Sequence, residues 1–284
     1  MQQQWRIKEI LEWTTRFFME KGIEEPRLEA EVLLARVLQK DRVYLYANYE
    51  APVNQEERVS YRGFISRRVN GEPLAYIVGY KEFMSLEFKI SPDVLIPRPD
   101  TELLVETVID LARDKGDLRI CDVGTGSGAI AVSLAYYLPD SCVYASDICS
   151  RALEIARKNA QRHKVDVHFS LGDLLYPLLN EKKFDVITAN LPYISPAEYA
   201  ELEQGVRIYE PREALLASGD GLDIYRRFLP QAFTMLKSGA YLFIEIGSGQ
   251  GEQALNMGQE FEFSRRQILK DTAGRDRLLV LRKE

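Results

Sequence analysis

Two short stretches carry the residue types from which chemistry can be built: Asp122-Val123-Gly124-Thr125-Gly126-Ser127-Gly128 and, farther along, Asn190-Leu191-Pro192-Tyr193. The first is a glycine turn leading from a strand-like run into a helix-like run. Gly124, Gly126 and Gly128 permit a tight turn and let a ligand approach the backbone, and the helix that follows offers N–H groups at its start. A Walker phosphate loop is excluded, because Ala129-Ile130 follow the glycines where a lysine is required. A dinucleotide turn prefers G-x-G-x-x-G, and here the third glycine comes one residue early. With Asp122 leading, the spacing from Gly124 through Thr125, Gly126 and Ser127 to Gly128 fits a cradle for the amino-acid and ribose parts of S-adenosylmethionine. A turn needed for backbone geometry alone is the plainer alternative.

Three more residues belong to the same expected site. Asp147 ends the next strand-like run, where a carboxylate can accept both ribose hydroxyls of a nucleoside lying across the strand ends. Capping of the helix that begins near Ser150 is the lesser alternative. Asp173 follows the third strand and can accept an adenine amino group while the Leu174 N–H faces a ring nitrogen; simple loop capping stands beside that reading.

Asn190-Leu191-Pro192-Tyr193 points to methyl transfer onto a nitrogen. The Asn190 carboxamide oxygen and the Leu191 carbonyl can each accept one hydrogen of a target NH₂, which aims the remaining lone pair and lowers the barrier through orientation. Pro192 keeps Leu191 extended, and Tyr193 offers a flat face to a planar amide or base. An Asn-Pro turn with a packed tyrosine is the structural alternative. No general base is evident, and none is needed if the proton leaves after transfer.

The elements that must position these residues follow from periodicity. Residues 1 to about 75 read as helices, with Trp5, Ile10, Trp13, Phe17 and Phe18 at helical spacing as core and Pro26 opening a second helix. Leu74–Gly79 and Leu86–Ile90 read as the strands of a hairpin. Leu95-Ile96-Pro97-Arg98-Pro99 must be an extended loop. Strand-like runs at 118–123, 142–147, 165–170, 183–189 and 240–246 alternate with helices, which predicts an α/β fold with a parallel sheet. Two further strands, 264–270 and 276–281, joined by a glycine turn, form an antiparallel edge.

Composition narrows the function classes. The 284 residues suffice for two domains, with 46% hydrophobic and 28% charged residues. No apolar run reaches the roughly 18 residues that span a bilayer, and Met1-Gln2-Gln3-Gln4-Trp5-Arg6 lacks the pattern of a secretory signal. Three cysteines without CxxC spacing argue against disulfides and for a reducing cytoplasm. Two histidines without nearby ligand partners argue against a metal site, and the missing G-x-S-x-G elbow argues against a hydrolase. The net charge of −6 leans toward a protein or small-molecule substrate, with no stable nucleic-acid partner expected.

The chain resembles the glutamine-N5 methyltransferases that modify peptide chain release factors, over nearly its whole length. Leu95-Ile96-Pro97-Arg98-Pro99-Asp100-Thr101-Glu102 is the most specific match, followed by the glycine turn, Tyr209-Glu210-Pro211-Arg212-Glu213-Ala214-Leu215, Gly219-Asp220-Gly221-Leu222-Asp223 and Asp271-Thr272-Ala273-Gly274-Arg275-Asp276-Arg277. The resemblance implies a seven-stranded doubly wound S-adenosylmethionine-dependent methyltransferase domain with a small N-terminal helical bundle. It implies as substrate the glutamine of a release factor's Gly-Gly-Gln loop, with Arg98 and Pro99 joining Asn190, Leu191, Pro192 and Tyr193 at the substrate. The expected organisation is a helical substrate-recognition domain over 1–73, a hairpin linker over 74–97 and the methyltransferase domain over 98–284. The family usually reads Asn-Pro-Pro-Tyr; Leu191 supplies the same carbonyl but adds an N–H. Asn-Leu-Pro-Tyr also resembles the ribosomal-RNA adenine dimethylases, so adenine-N6 methylation is the rival, and a non-catalytic cofactor-binding module is a second alternative.

Overall fold

Helix caps and glycine stops divide the chain into elements that assemble into two units. The computed structural model describes residues 5–113, 115–261 and 263–284. Met1–Gln4, part of the stretch read for a secretory signal, lie outside the described residues. One unit runs to Tyr80 and takes in the separate segment Gln204–Tyr209; the other comprises Lys81–Glu203 and Glu210–Glu284.

The first unit is helical, with α1 (Ile7–Glu20), α2 (Pro26–Leu38), α3 (Arg42–Ala47), α4 (Gln55–Val69) and α5 (Leu74–Val78). Pro26 sits at the first turn of α2, where its missing N–H costs nothing. Asp41 caps α3 by accepting the Tyr44 N–H at 2.7 Å, and Asn54 with Glu57 forms a reciprocal capping box on α4. Ile7, Leu11, Phe18, Leu33, Leu34, Tyr61 and Ile65 make the core. Trp13, expected inside, is 45% exposed and stacks on Phe17 at 5.1 Å. Two residues beyond Leu11 the helix has turned some 200°, away from the buried stripe.

The second unit begins at the second residue of a hairpin, β1 (Tyr80–Phe83) and β2 (Leu86–Lys89), followed by α6 (Glu102–Ala112). It continues with β3 (Arg119–Val123), α7 (Ala129–Tyr137), β4 (Cys142–Asp147), α8 (Ser150–His163), β5 (Val167–Leu171) and β6 (Phe184–Ala189). Then come α9 (Pro196–Glu201), α10 (Gln204–Tyr209, in the first unit), α11 (Asp223–Met235), β7 (Leu236–Glu245), α12 (Gly251–Glu260), β8 (Arg265–Lys270) and β9 (Asp276–Arg282). The seven-stranded sheet has the order β5-β4-β3-β6-β7-β9-β8. Pairs from β5 through β7 are parallel, while β9 runs antiparallel to both β7 and β8. Successive residues alternate between two apolar layers. Ile120, Val186 and Phe243 pack with α6 and α7 on one face, and Cys121, Ile187 and Leu242 pack with α11 on the other. Seven consecutive residues of α7, Ala129 to Ala135, are buried.

The hairpin differs from expectation. Leu74–Val78 is a short helix ended by Gly79 in the left-handed region, and the first strand lies at Tyr80–Phe83. A five-residue apolar run has no periodicity to separate helix from strand. The hairpin turn consists of Met84 and Ser85, both with positive φ of 50° and 56°, where glycine or asparagine ordinarily signals such a turn. Neighbours hold it in place: Glu102 accepts the Met84 N–H at 2.7 Å and the Tyr137 hydroxyl donates to the Met84 carbonyl at 2.7 Å. Nor is the hairpin a free linker. Phe83, Leu86 and Phe88 join the core beside α6 and α7, and Asn159 of α8 exchanges two hydrogen bonds with the Lys89 backbone.

Candidate active site

Sheet register places the candidate residues in one row. Val123 of β3 pairs with Ser146 of β4 on one side and Ala189 of β6 on the other, and Ala189 pairs with Ile244 of β7. The next residue on each strand, Gly124, Asp147, Asn190 and Glu245, therefore stands at the carboxyl edge of the sheet. β3 is also where the strand order reverses, the crevice in which open α/β sheets bind ligands.

The glycine turn is built for close approach. Gly124, Gly126 and Gly128 all have positive φ, of 72°, 54° and 81°. A Cβ on Gly128 would lie 3.0 Å from Ala156 Cβ, so this glycine lets α7 pack on α8. A Cβ on Gly126 would meet nothing within 4 Å, leaving room over the turn for a ligand. The turn's amides are largely satisfied by the protein. Gly124 and Thr125 donate to the Ser146 carbonyl at 2.9 and 3.0 Å, and Gly128 donates to the Thr125 carbonyl at 2.8 Å. Beneath the turn, the Asp122 carboxylate is buried and takes one hydrogen bond, from Thr188 Oγ1 to Oδ1 at 2.9 Å. Its Oδ2 and Thr125 Oγ1 are buried without a partner of normal geometry. Burial pushes the Asp122 carboxyl up to about 6.

Asp147 tightens this arrangement. Its Oδ2 accepts the Gly126 N–H and its Oδ1 the Cys149 N–H, both at 2.8 Å. Each oxygen keeps a second lone pair, so the carboxylate fastens the turn that precedes α8, whose N-cap is Cys149, and can still accept from a ligand. Burial raises its pKa. Asp173 lies at the surface in an ion pair with Arg227 of α11. Leu174 is buried with φ of 51°, and its carbonyl accepts the Ser146 hydroxyl at 2.7 Å.

Asn190 and Tyr193 converge on a buried acid. Asn190 Nδ2 donates to Thr101 Oγ1 at 3.2 Å, and Thr101 Oγ1 donates to Glu245 Oε2 at 2.6 Å. The Tyr193 hydroxyl donates to Glu245 Oε1 at 3.2 Å, and Arg277 Nη1 approaches that hydroxyl at 3.5 Å. Burial raises the pKa of Glu245, against the hydroxyl of Thr101 and the charge of Arg277. Leu191 is 5% exposed and belongs to the core. Its N–H donates to the Tyr225 hydroxyl at 3.3 Å, and that hydroxyl faces the carbonyls of Glu245 at 2.6 Å and Leu191 at 3.1 Å. Gln250 Nε2 then fixes the Tyr193 carbonyl at 2.9 Å. A cavity of about 470 Å³, lined by Ser195, Glu198, Asp220, Gln250 and Gln253 among others, lies beside this loop; none of Gly124–Gly128 lines it.

Arg98 has a partner inside the protein: its guanidinium pairs with the buried Glu210 carboxylate at 2.5 Å, and Ile96 donates its N–H to the same carboxylate at 3.4 Å. The I-P-R-P and Y-E-P-R segments, matched separately in sequence, are thus tied together. Pro99 opens a single 3₁₀ turn, Pro99–Thr101, that delivers Thr101 into the buried network. Sequence reasoning missed Thr101, Tyr225 and Glu245 as contributors. For Glu245 the signal was present, as an acid closing an otherwise apolar strand in the manner of Asp147. Among the described residues, no cluster of three or more His, Cys, Asp or Glu side chains could hold a metal ion, and no helix is long and apolar enough to cross a membrane.

Known proteins share this arrangement of sequence and fold. Residues 9–79 match the family described as PrmC N-terminal domain, and residues 114–272 match a methyltransferase domain. A release factor glutamine methyltransferase of Geobacter sulfurreducens is 42% identical across 97% of this chain and 96% of its own length. Proteins of the same name from Moorella thermoacetica, at 45% identity over 93% and 94% of the two chains, and from Bacillus subtilis, at 38% over 96% of each, are similar throughout. Among solved structures, a methyltransferase of Pyrococcus furiosus matches with a TM-score of 0.51 at 20% identity, covering 79% of this chain and all of that one. A T. thermophilus 16S rRNA N2 G1207 methyltransferase, solved with AdoMet and guanosine, matches with a TM-score of 0.54 at 18% identity, covering 72% of this chain and 50% of that one. These two likenesses establish the fold.

Proposed function

This chain belongs to the release factor glutamine methyltransferase family, and we propose that it transfers a methyl group from S-adenosylmethionine to the side-chain amide nitrogen, N5, of the glutamine in a release factor's Gly-Gly-Gln loop. The observation that carries the reading is the pairing of Val123 with Ala189, which sets the glycine turn and Asn190 side by side in a chain similar to those enzymes end to end. When bound, S-adenosylmethionine supplies the methyl group as an electrophile on a sulfonium sulfur.

The chain's own residues bind and aim. Gly126 leaves the space, and Gly124, Thr125, Ser127 and Gly128 shape the wall beside it. The free lone pairs of Asp147 receive the ribose hydroxyls, while Asp173 and Leu174 border the adenine end. Asn190 Oδ1 accepts one hydrogen of the target carboxamide and the Leu191 carbonyl accepts the other. Pro192 stiffens the loop, and Tyr193 packs its ring against the amide plane. With both hydrogens held, the nitrogen lone pair points at the methyl group, which contributes through orientation and exclusion of water. Arg98 and Pro99 serve the substrate indirectly, by holding the loop that carries Thr101. The helical unit recognises the body of the protein substrate, and the reaction takes place in the cytoplasm, where release factors work.

Incubation with methyl-labelled S-adenosylmethionine and, in separate reactions, a release factor and ribosomal RNA tests this reading. Label is expected on the release factor glutamine and to disappear when that glutamine is replaced. Label on adenine in the RNA reaction and none on the protein would replace it with the adenine-N6 reading. In the active reaction Asn190→Ala is expected to lower the rate with saturating substrate by 10²-fold or more while leaving cofactor affinity near normal.

A further inference from the structure

We propose that Thr101 and Glu245 are positioning residues that determine which end of the Asn190 carboxamide faces the substrate, and so determine the enzyme's preference for glutamine over glutamate. The inference deepens the proposed function and rests on it. A carboxamide is nearly symmetric in shape, but its two ends are opposite in hydrogen-bonding sense: Oδ1 only accepts and Nδ2 only donates. Left unconstrained, Asn190 could present either. To hold a substrate NH₂ it must present oxygen. Presenting nitrogen would oppose donor to donor and would instead favour a carboxylate.

Hydrogen-bond polarity resolves the choice. The Thr101 hydroxyl has one proton and lies 2.6 Å from Glu245 Oε2. The adjacent Arg277 charge favours the ionised form of Glu245, whose Oε2 is then an acceptor, so that proton points at Glu245. Thr101 Oγ1 is left with lone pairs alone, and the Asn190 atom 3.2 Å away must be the donor, Nδ2. Oδ1 is thereby turned to the opposite side. The other oxygen of Glu245 accepts from Tyr193 at 3.2 Å, so one buried acid sets both side chains assigned to the substrate amide. The charged and titratable groups around Glu245 are Arg277 of β9, Asp100 of the loop before α6, and the phenols of Tyr193 and Tyr225. All members of the chain from Asn190 to Glu245 lie in one unit, with Asn190 and Glu245 at adjacent strand ends and Thr101 on the 3₁₀ turn between them. Buried polar networks of this kind define one arrangement when every member is satisfied.

The test compares binding of a release factor carrying glutamine with its Gln→Glu counterpart, using enzyme loaded with S-adenosylhomocysteine. Wild type is expected to prefer glutamine strongly. Thr101→Val, which keeps the shape and removes the hydroxyl, is expected to reduce the ratio of the two affinities at least tenfold, partly through tighter binding of the glutamate form. Thr101→Ser restores the hydroxyl and is expected to keep the ratio within about threefold of wild type. Thr101→Ala must act like the valine variant, which guards against a folding defect peculiar to either change. S-adenosylhomocysteine affinity, measured by calorimetry, should stay near normal in all three, since none of them alters the glycine turn. An unchanged ratio in the valine and alanine variants would overturn the positioning role. Absence of any glutamine preference in wild type would overturn the proposed function itself, a result distinct from the first.

Discussion

The side chain of Leu191 occupies the space that a Cβ on Gly124 would need: Leu191 Cδ2 lies 2.6 Å from that position. The residue after Asn190 is therefore packed against the glycine turn, joining the expected substrate loop to the expected cofactor turn through one van der Waals contact.

Gly124→Ala is expected to be severely destabilising, with roughly 1–2 kcal/mol from the left-handed backbone and about 1–3 kcal/mol more from overpacking against Leu191. Adding Leu191→Ala should recover part of the second contribution and none of the first. Chemical denaturation of both single variants and the double variant gives the coupling, and simple additivity would mean that the contact carries no energy.

Leu191→Pro, which recreates the usual family sequence, keeps the carbonyl but removes the N–H that donates to Tyr225 at 3.3 Å and shrinks a buried side chain. Proline would tighten the unfolded chain by about 0.4–1 kcal/mol. The lost hydrogen bond, about 0.5–1.5 kcal/mol, and the lost packing outweigh that gain. We expect a net loss of stability of about 1–2 kcal/mol, with glutamine methylation retained. A rise in the midpoint of denaturation would show that the surroundings close over the smaller ring.

Asp122 gives a pH dependence whose sign is fixed. Its carboxyl is raised from an ordinary 3.8 to about 6 by burial, so the folded protein binds this proton more tightly than the unfolded chain. The resulting stabilisation is complete below the unfolded value and disappears as pH rises through about 6. At neutral pH the buried charge costs on the order of 3 kcal/mol. Asp122→Asn is expected to raise the ligand-free melting temperature above wild type at pH 7.5, with the advantage vanishing near pH 4. A difference that does not vary with pH would assign the effect to packing.

A chain beginning at Lys81 is expected to keep the sheet and bind S-adenosylhomocysteine, yet to release α10 from its packing. In the first unit Tyr209 donates to the Asn70 carbonyl at 3.3 Å, and a Cβ on Gly205 would lie 2.7 Å from the Gly71 carbonyl. Limited proteolysis should therefore cut the shortened chain near 202–210 faster than the full chain. Equal rates would show that α10 is held by its own connections.

Local patterning in the sequence was enough to determine the architecture. Alternating apolar runs and glycine or proline stops marked each strand of the large sheet to within a few residues, because side-chain period and turn chemistry are local properties. The same locality made Asn190, Asp147 and the glycine turn visible as candidates. The helix at Leu74–Val78 and the Met84-Ser85 turn were not visible, since their conformations are imposed by partners such as Glu102 and Tyr137. Only the tertiary structure decided that Arg98 faces Glu210, that Leu191 lies under Gly124 and that Asn190 leads through Thr101 to Glu245. Those pairs are separated by 112, 67 and 144 positions at their longest steps. Hydrogen-bond direction and close packing between such distant residues depend on strand register, and no single segment encodes its own register against another.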